Sequence, residues 1–67
     1  MEFKDRLKEL RIDLGYKQKD IAEALGLSKS CYAGYEQGYR EPDLKTFKKI
    51  CKTFGISADY LLGLTDY

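Results

Sequence analysis

The chain has no histidine, one proline and only two cysteines, Cys31 and Cys51, and nowhere a long run of apolar residues. Lack of histidine, of clustered carboxylates, of a phosphate-binding loop and of a metal-ligand set leaves little chemistry for an enzyme. No cofactor, metal or small-molecule substrate is therefore expected. Two cysteines do not make a disulfide framework; Cys51 reads as a small core residue and Cys31 as a free thiol. With no signal peptide and no spanning segment, the expected setting is soluble, reducing and cytoplasmic, without a membrane partner.

What is present is compact. The 67 residues form one expected domain, 1–67, near the lower size limit for independent folding, where tight helix packing or a partner helps to hold the structure. Net charge is +1, but it is unevenly spread. Residues 41–54 carry Lys45, Lys48, Lys49 and Lys52 against Glu41 and Asp43, whereas residues 55–67 carry only Asp59 and Asp66. A basic middle with an acidic tail suits a protein that presents one face to a polyanion, although a lysine-rich helix face is also compatible with simple solvation.

Hydrophobic spacing predicts five short helices and no strand. Phe3, Leu7, Leu10 and Leu14 form one helical stripe that stops at Gly15. Gln18 to Leu25 gives a second helix with Ile21, Ala22 and Leu25 inward. Ser28 is a good cap for a third, which runs to about Glu36 or Gln37 and is closed by Gly38. Asp43 caps a fourth whose apolar face is Leu44, Phe47, Ile50, Cys51 and Phe54, and Ser57 caps a last one bearing Tyr60, Leu61 and Leu62. The expected fold class is all-α.

Two glycines interrupt otherwise helical patterns, and a glycine inside a helix costs about 1 kcal/mol relative to alanine. Gly26 has a ready explanation: two helices joined by a tight turn need a left-handed residue, which glycine supplies without a Cβ penalty. Ala22, four residues earlier, provides a small side chain where the helices cross. Gly34 lies mid-helix on the side away from Tyr32 and Tyr35, which reads as exposed. There it is either neutral or allows closer approach of another surface.

The stretch from Gln18, with Ile21, Ala22, Leu25, Gly26, Leu27, Tyr32 and Tyr35 in apolar, small and turn positions, resembles the Cro/cI-type helix-turn-helix regulators, also called XRE-like. The flanks, LKELRIDLGYKQKDIA and YEQGYREPDLKTFKKICKTFGISADYLLGL, are similar to that family's first helix and to its basic loop, fourth helix and terminal YLLGL. Three positions depart from it. Tyr32 stands where a branched aliphatic is usual, Tyr39 where a basic residue is common, and Gly34 where a long polar side chain often reads DNA.

The resemblance implies a compact five-helix, lambda-repressor-like domain whose third helix enters the DNA major groove while the second crosses the backbone. It implies base-reading positions at Ser28, Lys29, Ser30, Ala33, Gly34 and Gln37. Lys29 is suited to guanine O6/N7, Ser30 can donate or accept, and Ala33 can touch a thymine methyl. Because Ala33 and Gly34 have no reach, few direct base contacts and a larger role for DNA shape are expected. Phosphate contacts are implied at Lys17, Gln18, Lys19, Tyr39 and Arg40, and a structural salt bridge between Arg11 and Glu36.

The leading functional expectation is a sequence-specific transcriptional regulator, a repressor that binds an inverted repeat of double-stranded DNA as a homodimer. Tyr60, Leu61, Leu64 and Tyr67 are the expected dimer surface, being more apolar than a monomeric tail needs, although core packing alone also accounts for Tyr60 and Leu61. An antitoxin-type autorepressor and a protein-interaction module on the same fold are the alternatives.

Overall fold

Helix boundaries follow the capping chemistry of the chain. The computed structural model describes residues 2–66. Five helices follow one another: α1 (Phe3–Asp13), α2 (Gln18–Leu25), α3 (Lys29–Gln37), α4 (Leu44–Phe54) and α5 (Ala58–Leu61), with no strand among the described residues. Ser28, Asp43 and Ser57 cap α3, α4 and α5, accepting from the N–H groups of Cys31, Thr46 and Tyr60 at 3.1, 2.8 and 3.2 Å. Those donors have no intrahelical partner in a first turn. At α2 the capping is reversed. Lys17 offers no acceptor, so the Asp20 carboxylate reaches back and accepts from the Lys17 N–H at 2.9 Å.

Every helix gives at least one side chain to a single core. Leu7, Ile21, Leu25, Tyr32, Ile50 and Leu61 are each 3% exposed or less. α2 packs on α3 and α4, α1 on α3 and α5, and α4 on α5. Full burial of one such aliphatic side chain is worth about 1.5–3 kcal/mol, against a total stability of about 0.05–0.15 kcal/mol per residue. In a chain this short, a single core position is a large share of the whole.

A buried arginine fastens the end of the described chain. Arg6 Nη1 donates to the carbonyls of Tyr60 and Thr65 at 3.1 and 2.6 Å, and Nη2 lies 3.5 Å from Asp66. Its guanidinium carbon also sits 4.4 Å from the centre of the Tyr60 ring. Nothing in the sequence distinguishes this arginine from a solvated one.

Three expectations about the core are corrected. Leu14 does not join the α1 stripe: the helix closes at Asp13, all residues from Ile12 to Lys17 are exposed, and Leu14 overhangs the core. Leu44 is 80% exposed at the first position of α4, where Phe47 turns in against Phe3 instead. Leu61 is fully buried beneath α1 and α4, so it leaves the expected dimer surface. Tyr60 is half-buried under Arg6, Leu64 is 73% exposed, and Tyr67 lies outside the described residues.

The contrast between Leu61 and Leu64 is open to test by chemical denaturation. Leu61→Ala is expected to lose about 2–5 kcal/mol of unfolding free energy, and Leu64→Ala less than about 0.5 kcal/mol.

Candidate nucleic-acid interface

The turn between α2 and α3 sets the geometry of everything around it. Gly26 takes φ +72°, and the Leu27 N–H donates to the Ala22 carbonyl at 2.8 Å, which closes α2 and sends the chain off at an angle. Ala22, 2% exposed, lies at the contact, as its size requires. Lys49 of α4 adds a clamp that sequence reasoning missed. Its Nζ donates to the Leu25 carbonyl at 3.3 Å, placing a cation on the negative end of α2.

At the other end of α3, Glu36 ties three helices together. Arg11 of α1 approaches its carboxylate side-on, Nε to Oε2 at 2.7 Å and Nη2 to Oε1 at 3.1 Å. Gln18 of α2 donates to Oε1 at 3.1 Å. Arg11 also donates from Nη1 to the Tyr16 carbonyl at 2.9 Å, fixing the α1–α2 connection. The ion pair implied by the resemblance is thus present, and it is buried, with side chains 12% and 2% exposed.

Burial is the largest influence on the Glu36 carboxyl and pushes its pKa up. The Arg11 hydrogen bond, then the nearby Tyr32 phenol and Gln18, together outweigh it, and the net shift is below the ordinary value. The Tyr32 hydroxyl is buried beside the pair with no hydrogen-bond partner. Burial, and next the adjacent carboxylate, hold that phenol far above its ordinary pKa.

Between these two anchors α3 presents a strip to solvent. Lys29, Ser30 and Gln37 are exposed and Ala33 is half-buried; at about 100° per residue they share one side of the helix. On one edge of the strip lies Glu36, where Gln18 brings the start of α2, with Lys17 and Lys19 exposed beside it. On the other edge lies Gly34, over which the Arg40 side chain rests. The ion pairs among the described residues are Lys4–Glu2, Arg6–Asp66 and Arg11–Glu36, so Lys17, Lys19, Lys29 and Arg40 are free of them.

The expected site residues therefore divide. Lys29, Ser30, Ala33 and Gln37 come together on the strip, and Tyr39 is exposed in the loop after it. Ser28 is exposed, but its Oγ is engaged in capping α3. Gln18 is partly committed to Glu36 and keeps one amide N–H and its carbonyl. Gly34 is corrected: it is buried, because Arg40 covers it, and does not face solvent as a reading position.

A left-handed glycine turn between two short packed helices, with a solvent-facing strip on the second, is a helix-turn-helix unit. The sequence matches the helix-turn-helix family over residues 7–61. It is 45% identical over 60 residues to the SPbeta prophage-derived HTH-type transcriptional regulator YonR of Bacillus subtilis (strain 168), covering 90% of this chain and 56% of that protein. The crystal structure of the restriction-modification controller protein C.AhdI from Aeromonas hydrophila superposes with TM-score 0.83 at 33% identity, covering 90% of this chain and 91% of that one. The P22 c2 repressor, solved with a synthetic operator, superposes with TM-score 0.87 over 92% of this chain and 94% of that one; at 24% identity it speaks for the fold alone. The chain spans about half the length of the first curated relatives it matches. It belongs to the helix-turn-helix family, in its Cro/cI or XRE-like branch.

The buried ion pair predicts two outcomes. Glu36→Ala is expected to lose about 3–5 kcal/mol by stranding Arg11, while replacing both Arg11 and Glu36 by apolar side chains of similar size recovers most of that loss; denaturant titration measures both. Because the folded Glu36 pKa is lowered, its contribution is fully present above the ordinary value of 4.5 and is lost as pH falls through the lowered one. The stability difference between wild type and Glu36→Gln should stay constant above that value and shrink in acid.

Proposed function

We propose that this domain is a sequence-specific DNA-binding transcriptional regulator, a repressor that occupies an inverted-repeat operator as a homodimer. The strip on α3 carries the reading: one groove-sized helix face, polar and exposed except at half-buried Ala33, flanked on both edges by cations that enter none of the ion pairs among the described residues. A B-DNA major groove is about 12 Å wide and admits an α-helix, with a row of phosphates on either side. Lys29, Ser30, Ala33 and Gln37 face the bases. Lys17, Lys19 and the open part of Gln18 meet one phosphate row, while Arg40, with the Tyr39 hydroxyl, meets the other.

With Ala33 short and Gly34 covered, direct readout rests chiefly on Lys29, Ser30 and Gln37, and the remaining preference comes from duplex shape. Two copies suit a two-fold operator with half-sites about 34–36 Å apart. Among the apolar side chains left exposed, Leu44, Leu62 and Leu64 are the ones through which the two copies would associate.

Selection of bound sequences from random duplexes at moderate salt tests the reading. An enriched inverted repeat is expected; weak binding to every sequence that vanishes as salt rises would reject it. On the selected duplex, Lys29→Ala is expected to cost about 1–3 kcal/mol and to relax preference at one base pair. Lys17→Ala should weaken all duplexes evenly and lower the salt slope by about one. Equilibrium binding across a salt series separates the two behaviours.

A further inference from the structure

The Arg40 side chain lies directly on the backbone of α3. A Cβ built at Gly34 would stand 2.6 Å from Arg40 Cδ, 3.0 Å from Cγ and 3.3 Å from Cβ, the three nearest atoms all being Arg40's. No side chain fits there unless the arginine moves. The backbone is fastened at the same place, since the Arg40 N–H donates to the Gly34 carbonyl at 3.3 Å beside the Gly38 N–H at 3.0 Å. Arg40 nonetheless remains exposed overall, and its guanidinium enters none of the ion pairs among the described residues.

A glycine inside a helix is destabilising relative to alanine. At Gly34 the space left by the missing side chain is filled by the arginine stem, which is held while its charged head stays free. A long side chain at 34 would itself project at the edge of the α3 strip. Here that edge is supplied from the loop.

We propose that Gly34 is a positioning residue for DNA recognition, seating the Arg40 stem along α3 so that the guanidinium grips a phosphate beside the reading strip. This rests on the DNA-binding reading above. The seat fixes the direction of a side chain that would otherwise sample many rotamers, so less freedom is lost when the phosphate is met. The glycine acts on DNA only through the arginine.

The test titrates wild type, Gly34→Ala, Arg40→Ala and the double variant against the duplex that wild type enriches, across a salt series, with thermal unfolding of each. Each single variant is expected to bind about ten-fold more weakly and to lower the salt slope by about 0.9. The double variant should be no weaker than Arg40→Ala, because both changes remove one contact. Wild-type affinity and slope in Gly34→Ala, or losses that add in the double variant, would overturn the seat while leaving the DNA-binding reading intact. Failure of wild type to enrich any duplex would overturn both. Should Gly34→Ala lose thermal stability, recovery in the double variant supports the seat and a persisting loss overturns it.

Discussion

The position of α3 depends on one carboxylate. Glu36 takes a side-on pair of hydrogen bonds from Arg11 and a third from Gln18, so α1, α2 and α3 converge on two oxygen atoms. A carboxylate this deeply buried is costly to desolvate, and it becomes tolerable only when donors on other elements are already in place. The same demand makes the arrangement cooperative. α2 cannot shift along α3 without uncovering a charge, and α1 cannot move without stranding its arginine. Arg11 extends the constraint to the connection before α2 through the Tyr16 carbonyl.

The opposite end of the α2–α3 unit is held by different physics. There Gly26 supplies a left-handed turn, Ala22 allows close packing, and Lys49 neutralises the carbonyl end of α2 from below. Core packing joins the two ends through Tyr32, which fills the centre as a fully buried aromatic. Tyr32 meets Tyr35 edge-on, with ring centres 6.3 Å apart, on the inward face of α3. The outward face is therefore left free of structural duty along most of its length.

Much of this was legible in the residue pattern, and the failures have specific causes. Ser28, Asp43 and Ser57 announced the starts of three helices because hydroxyls and carboxylates have few better uses than the free N–H groups of a first turn. Gly26 announced the turn because only its backbone freedom explains a glycine between two apolar stripes. Periodicity misplaced Leu14 and Leu44 because it marks which side of a helix faces inward, not where the neighbouring helix stops covering it. Leu61 stayed open between surface and core because a four-residue helix is too short for its stripe to declare a direction; it belongs to the core. Gly34 was misread because what covers it is a side chain six residues later in a loop, a contact that no local pattern encodes. The structural roles of Arg6, which is buried, and of Lys49, which is exposed, were hidden likewise, since a long cation's fate depends on the carbonyls that tertiary packing brings within its reach.

The two edges of the α3 strip are both fixed by contacts inside the protein, at Glu36 on one side and Gly34 on the other. The backbone positions from which the flanking cations project are thus set before any ligand arrives. On the proposed reading, the backbone of the α2–α3 unit meets DNA nearly as a rigid body, with little backbone entropy left to lose at the moment of contact. A stiff template cannot adapt to a groove of the wrong width. The elastic work of any mismatch in width or curvature would fall on the duplex, and operators would be ranked partly by how easily their uncontacted steps deform.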